Sequence, residues 1–166
     1  MPERKTVERA RKAKRKGKAP SSQAGEFVRE EMEHIREGKH GAQSTKQAIA
    51  IGLSKARRAG VKLPPPKKGQ ATKKTRESAK RAYAAGRKGA KRASPTRSRA
   101  IKRALKREGR SAVSKQALAR QARAAARKRG ASKRSAAARK AVRTKGATGR
   151  SAAARKAART RARRSG

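Results

Sequence analysis

Several residue types that usually build or join protein domains are scarce in this chain. The 166 residues include no cysteine, no tryptophan and no aspartate, and only one phenylalanine and one tyrosine. The absence of cysteine excludes disulfide bonds and thiolate metal sites. The scarcity of aromatic side chains argues against the stacking surfaces with which proteins bind single-stranded nucleic acids.

Long apolar segments are also missing. The longest apolar run, AIAIGL, extends from Ala48 to Leu53, which is far shorter than the roughly 20 residues that span a bilayer. The basic N-terminal segment lacks the apolar stretch of a secretory signal. We therefore expect a cytoplasmic protein without a membrane partner.

Acidic residues are few and unevenly placed. The chain has 54 lysines and arginines against nine glutamates, a net charge of +45. Residues 1–19 contain nine basic and two acidic residues. Residues 20–63 contain eight basic and five acidic residues, and residues 64–166 contain 37 basic and two acidic residues. A nearly neutral segment thus lies between two cationic ones.

The apolar composition limits how much of the chain can form a core. Alanine supplies 37 of the apolar residues, and it offers little surface to bury. Low hydrophobicity with high net charge is typical of disorder. The sequence therefore predicts a mostly α protein without a sheet, in which a small helical hairpin at about 20–63 is flanked by basic arms that are largely disordered or form isolated helices.

The nearly neutral segment carries two amphipathic helix patterns. The first is capped by Ser21 or Ser22 and runs to about Glu37, with apolar residues at 3.6-residue spacing. The second begins at the capping box STKQ, Ser44 to Gln47, and ends near Gly60. Together they predict a helix-turn-helix-like hairpin.

Changes in composition suggest five segments. They are a basic arm (1–19), the hairpin (20–63), a Pro-led linker with room for one helix (64–93), a basic helical pair (94–130) and a repeat tail (131–166). In the tail, RSAAARKAVRT at 134–144 returns as RSAAARKAART at 150–160. On a helix each copy has an alanine side and a cationic side, so we expect it to be frayed when free and helical when bound to a polyanion.

The charge predicts a polyanionic partner. Duplex DNA carries one negative charge per ~1.7 Å of its axis. A net charge of +45 would therefore neutralise the phosphates of roughly 75 Å of duplex, or about 22 base pairs. Phosphate contacts position a protein without reading sequence. We therefore predict a non-enzymatic, largely sequence-nonspecific DNA-binding protein of the nucleoid that bridges or condenses DNA. The alternatives are a basic protein associated with structured RNA or ribosomes, and a DNA-binding partner in a plasmid-maintenance system.

The candidate binding residues follow from the charge pattern. The predicted nucleic-acid contacts are basic residues of the arms: Lys12, Lys14, Arg15, Lys16, Arg97, Lys102, Arg103, Arg120, Arg123, Arg127, Lys128, Arg139, Lys140, Arg143, Arg155, Lys156 and Arg159. The predicted self-association surface, which would make a homodimer, consists of the hairpin's apolar residues: Phe27, Val28, Met32, Ile35, Ile49 and Leu53. The hairpin has two alternative roles, direct DNA reading through Lys46, Gln47 and Lys55, or docking of another protein.

No catalytic pattern is present in the sequence. His34 and His40 are the only histidines. His34 with Glu30, Glu31 or Glu37 has the residue types of a metal or acid–base site, but these residues fit a solvated helix face better. The sequence therefore predicts no metal, no cofactor and no catalysis.

Two stretches resemble known sequences. The string GEFVREEMEHIREGKHGAQSTKQAIAIGLSKARRAGVKLPPP, Gly25 to Pro66, is similar to a family of small basic bacterial proteins labelled DNA-binding or plasmid-stabilisation proteins, and Ser98 to Gly130 is similar to the same family. The Ala/Lys/Arg-rich C-terminus resembles the tails of bacterial histone H1-like proteins, although it lacks their Pro-containing repeats. The resemblance implies DNA association and names no catalytic residues.

Overall fold

The computed structural model describes residues 2–89 and 94–165, with side chains up to residue 163. These residues form seven α-helices and no strand. The helices are α1 (Arg4–Arg15), α2 (Pro20–Arg36), α3 (Thr45–Arg58), α4 (Lys73–Arg87), α5 (Pro95–Lys106), α6 (Lys115–Arg129) and α7 (Ala131–Ser165), and a short 3₁₀ turn spans Ser111–Val113. The mostly α class without a sheet is therefore confirmed for the described residues. The end of the predicted linker, at 90–93, lies outside them.

The chain divides into two compact units, Met1–Gln121 and Ala122–Gly166, called unit 1 and unit 2 below. In unit 1, α2 packs against both α1 and α3, and α4 packs against α3. The sequence predicts basic arms that are either largely disordered or helical. The described residues of the arms are mainly helical, so the expectation of disorder is wrong for these residues.

The N-terminal basic arm is part of the folded unit. Thr6, Ala10 and Ala13 lie on one side of α1 and are buried, while the lysines and arginines occupy the remaining surface. Ala10 shares a buried cluster with Ala24 and Phe27 of α2. Small residues at i, i+4 and i+7 allow this close packing, and their spacing was the signal that the sequence interpretation missed.

The two helices of the predicted hairpin are present, and α3 has the predicted caps at both ends. Ser44 Oγ accepts a hydrogen bond from Gln47 N at 3.2 Å, and Gln47 Oε1 reaches back to Gln43 N at 2.6 Å rather than to Ser44. At the other end of α3, Gly60 adopts φ +86° and Val61 N donates to Ala56 O, a glycine C-terminal cap. The predicted serine cap of α2 is wrong. The helix begins at Pro20, two or three residues earlier than predicted, with Ala19 as its N-cap residue and no side-chain cap, because proline is favoured in the first turn of a helix.

Two apolar clusters hold unit 1 together. One contains Met32 and Ile35 of α2, Ala42 and Ala48, and Ala112 and Val113 of the 3₁₀ turn. The other joins Phe27 to α1, to Ala56 and to Val61. The C-terminal end of α5 and the turn after it contact the hairpin, where Gly41 N donates to Leu105 O and Ala42 N to Gly109 O. The fold around the hairpin is therefore larger than 20–63.

Close helix contact requires glycine at one position of the hairpin. A Cβ built on Gly52 of α3 would lie 2.6 Å from Val28 Cα of α2. Real Cβ atoms do not approach backbone so closely, so α2 and α3 can pack at this distance only because Gly52 has no side chain.

Arg57 fixes the proline-rich segment that leaves α3. Its guanidinium is buried and donates from Nε to Leu63 O at 3.1 Å and from Nη2 to Pro64 O at 3.3 Å. Burial lowers the pKa of Arg57 from its ordinary value. The chain after α3 is thus held against that helix.

Candidate nucleic-acid interface and buried charge cluster

Unit 2 is entirely cationic. Residues 122–166 include 17 lysines and arginines and no acidic residue. The basic side chains described there are exposed on helices α6 and α7. A solvated protein surface normally mixes both signs of charge, so this unit has the surface expected of a polyanion-binding element.

The two repeat copies adopt the same local structure. Thr144 Oγ1 donates to Lys140 O at 2.9 Å, and Thr160 Oγ1 donates to Lys156 O at the same distance. Between the copies, Gly146 interrupts the helix with φ 64° and ψ 180°. Unit 2 therefore presents two equivalent cationic helical segments in α7.

All of the predicted nucleic-acid contacts are solvent-exposed. Lys12, Lys14, Arg15 and Lys16 lie at the C-terminal end of α1, where their charge also suits the helix dipole. Helices α5 to α7 carry the remaining predicted contacts: Arg97, Lys102, Arg103, Arg120, Arg123, Arg127, Lys128, Arg139, Lys140, Arg143, Arg155, Lys156 and Arg159. Exposure leaves these side chains accessible to phosphate, and whether they bind it stays a prediction.

The apolar residues predicted for self-association lie within the chain's own core. Phe27 and Ile35 are 1 and 0 % exposed, and Met32 is also buried. Val28 and Ile49 are partly buried against one apolar cluster and Leu53 against the other. These six side chains therefore do not form a free dimerisation surface.

A buried charge cluster joins α2 and α3. Glu30 and Glu31 are 1 and 0 % exposed. Lys55 Nζ lies 2.5 Å from Glu31 Oε2 and 3.6 Å from Glu30 Oε1. Burying a charge is costly unless it is paired, so Lys55 supplies part of the positive charge that the two buried carboxylates need.

This cluster corrects the sequence interpretation at three positions. Glu30 and Glu31 were expected on a solvated helix face, and both are buried. Lys55 was expected to be exposed on α3, and its ammonium is engaged with these two glutamates. Periodicity shows which residues share a face of one helix, but it does not show that a lysine from a second helix will reach that face.

Both histidines lie beside the same cluster. His40 Nε2 is 3.2 Å from Glu31 Oε1, and His40 Nδ1 is 3.0 Å from Gly41 O. The His34 and His40 rings are in edge-to-face contact, with centroids 6.2 Å apart. Candidate ligand atoms of Glu31, His34 and His40 lie within 4.8 Å of one another. The sequence pattern instead predicts a solvated helix face for Glu31 and His34, without a metal site.

The N-terminal segment closes one side of the cluster. Glu3 Oε1 is 2.8 Å from His34 Nε2 and 3.5 Å from Lys39 Nζ, and Glu3 N donates to Glu30 Oε2 at 3.2 Å. The hydrogen bond with His34 lowers the pKa of Glu3, and the nearby Lys39 ammonium also favours its charged form. The ion pair between Lys39 and Glu37 raises the pKa of Lys39.

The fold and the surface define a small helical protein with an exceptionally basic exterior. Residues 3–68 match the sequence model of a family described as a family of unknown function, DUF6496. The matched range runs from just before α1, through α2 and α3, to the prolines, and so contains the whole buried charge cluster. Its description assigns no activity, so DNA binding and plasmid stabilisation stay predictions.

The other comparisons add no relatives. Neither the curated proteins nor the solved structures contain a match to this chain. Among the described residues, no helix has both the length and the apolar character needed to cross a membrane.

Proposed function

We propose that this is a non-enzymatic, largely sequence-nonspecific protein of the nucleoid that binds duplex DNA. The observation that carries the proposal is the charge of unit 2, with 17 basic residues and no acidic one. Counterion release from the DNA would drive binding, and affinity would fall steeply with salt. Few base contacts are expected, because the exposed side chains are mainly lysine, arginine and alanine.

The helical form of unit 2 supports duplex DNA as the partner. A helix with its side chains is about 10–12 Å across, and the major groove of B-DNA is about 12 Å wide. The major groove of A-form RNA is deep and too narrow for side chains to read. Single strands are a poorer partner, because Phe27 is buried and Tyr83 is the only other aromatic residue.

Bridging of duplexes does not require a dimer in this proposal. Residues 1–121 contain 37 basic and nine acidic residues, and residues 122–166 contain the other 17 basic residues. Each unit thus has enough positive charge to engage phosphates by itself. One chain could hold two duplex segments, which would condense DNA without the apolar interface expected from the sequence.

Neutralising one repeat copy should reduce the salt dependence of binding. We expect the triple variant Arg139→Gln, Lys140→Gln, Arg143→Gln to bind duplex DNA more weakly than the natural chain. The slope of log K against log salt should become shallower by up to about 2.7, because each lost phosphate contact removes about 0.9. Fluorescence anisotropy with a 30-base-pair duplex across a salt series measures both quantities.

The second copy and a charge-preserving variant provide the controls. Arg155→Gln, Lys156→Gln, Arg159→Gln should change the slope as much as the first triple, because the copies have the same structure. Exchanging lysine and arginine at 139, 140 and 143 should leave it nearly unchanged. A flat salt plot for the natural chain would contradict DNA binding through phosphate.

Competition separates the alternative partners. Labelled duplex DNA is displaced by unlabelled duplex DNA, duplex RNA or ribosomes at 0.15 M salt. The proposal expects duplex DNA to compete at least as well as the others. A tenfold preference for RNA or ribosomes would favour the RNA-associated alternative, and capture of one stoichiometric protein by the full chain would favour the plasmid-maintenance alternative.

A further inference from the structure

Glu31 of the buried charge cluster and the two histidines beside it offer the donor atoms of a metal site. Glu31 and His34 lie at positions i and i+3 of α2, on one face of the helix, and His40 comes from the loop that follows it. Their candidate ligand atoms lie within 4.8 Å of one another. Imidazole nitrogen and carboxylate oxygen are the usual non-sulfur ligands of zinc.

The hydrogen bonding of His40 turns a lone pair toward Glu31. Gly41 O can only accept a hydrogen bond, so His40 Nδ1, 3.0 Å away, carries the hydrogen. In the neutral ring Nε2 is then an acceptor, and it faces Glu31 Oε1, another acceptor, at 3.2 Å. Two facing acceptors repel each other unless a proton or a metal cation lies between them.

The burial of Glu31 strengthens this argument. The residue is fully buried, and within the described part of the chain neither carboxylate oxygen has a well-aligned hydrogen-bond donor. Lys55 approaches Oε2, but Glu30 shares the same ammonium. Two buried carboxylates therefore share one lysine, and Oε1 of Glu31 is directed toward His40.

The distance between two of these ligand atoms already fits a tetrahedral ion. Zinc ligands lie about 2.0–2.2 Å from the metal, which places two ligand atoms of one tetrahedron roughly 3.3 Å apart by the same figures. The 3.2 Å between Glu31 Oε1 and His40 Nε2 already has this value. The ligand atom of His34 lies within 4.8 Å of the other two, and Glu3 Oε1, 2.8 Å from His34 Nε2, is the carboxylate oxygen offered as a fourth ligand.

We propose that Glu31, His34 and His40, with Glu3, bind one structural Zn²⁺ ion. The ion would cross-link the segment before α1, helix α2 and the loop between α2 and α3. Metal binding to a site assembled only by folding stabilises the fold. The proposal concerns unit 1 and is independent of DNA binding.

Zinc titration of the full-length chain, freed of nucleic acid by nuclease and high salt, tests this proposal. Calorimetry should show one ion bound per chain. A free Zn²⁺ concentration of about one hundred times Kd should raise the Tm of unit 1 by about 10 °C. Co²⁺ as a substitute ion should give the visible absorption of tetrahedral coordination, which metal held loosely by surface carboxylates does not give.

Two substitutions and one matched control assign the ligands. His34→Ala and His40→Ala should each weaken Zn²⁺ binding at least tenfold, and the chain has no other histidine and no cysteine to replace them. Glu33→Gln is the control, because Glu33 lies on the same helix but pairs with Arg29 outside the cluster. It should bind Zn²⁺ like the natural chain.

Three results would overturn the proposal. They are no saturable Zn²⁺ binding by the natural chain, equal binding by the natural chain and His40→Ala, or octahedral rather than tetrahedral Co²⁺ absorption. The measurements on the natural chain decide the question even where a variant fails to fold.

Discussion

Replacing Lys55 by methionine is expected to lower the free energy of unfolding of unit 1 by about 3–5 kcal/mol. The substitution keeps most of the side-chain stem and removes the ammonium group. Glu30 and Glu31 then remain buried without the cation that lies 2.5 Å from one of them and 3.6 Å from the other. Breaking a buried pair in this way is costly because a charge stays inside without compensation.

Urea unfolding followed by tyrosine fluorescence measures the effect. Tyr83 is the only tyrosine of the chain and lies in unit 1, so the signal does not include unit 2. Lys46→Met is the matched control on the same helix, since Lys46 is exposed, and it should change stability by less than about 0.5 kcal/mol. Equal effects of the two substitutions would contradict the assigned role of Lys55.

A second substitution tests whether the loss comes from the uncompensated carboxylate. Adding Glu31→Gln to Lys55→Met removes one of the two buried charges at nearly constant volume. The double variant should therefore be more stable than Lys55→Met alone. Additive losses would indicate that Lys55 acts by packing rather than by charge, because independent sites add and coupled sites do not.

Replacing Gly52 by alanine is expected to destabilise unit 1 by about 1–3 kcal/mol. Helix propensity alone would favour alanine by about 1 kcal/mol. The new methyl group would lie 2.6 Å from Val28 Cα, and backbone cannot be rotated away as a side chain can. The steric cost therefore exceeds the gain in propensity, and α2 and α3 must move apart.

The matched control for this substitution has the opposite expected sign. Gly25 lies inside α2, and a Cβ built there meets no atom within 4 Å. Gly25→Ala should therefore stabilise the chain by up to about 1 kcal/mol. The same urea experiment measures both variants, and stabilisation by Gly52→Ala would contradict the close packing of the two helices.

Local signals in the sequence predicted both ends of α3, although not the start of α2. Ser44 caps the start of α3, and Gly60 caps its end. The apolar face of α2 was also predicted, and Phe27, Met32 and Ile35 are buried on it. These features depend on residues within a few positions of each other, so a single sequence contains the information.

Features that depend on packing between distant segments were not predicted. The buried side of α1 consists of one threonine and two alanines among many basic residues, and such small residues give a weak hydrophobic pattern. The sequence therefore predicts an arm that is separate from the fold. Glu31 meets Lys55 from another helix and His40 from a loop. The spacing of residues along a single helix does not indicate that side chains from other segments meet there. The candidate metal site could therefore be recognised only from the structure.

The glycine interruptions of unit 2 have a consequence for how such a chain changes in evolution. Gly130 and Gly146 have positive φ angles, and their separation of 16 residues equals the offset between the two repeat copies. One interruption with one cationic helix thus forms a cassette about 24 Å long when helical. Gain or loss of one cassette would alter the charge of the tail by five or six units while leaving the buried clusters of unit 1 untouched.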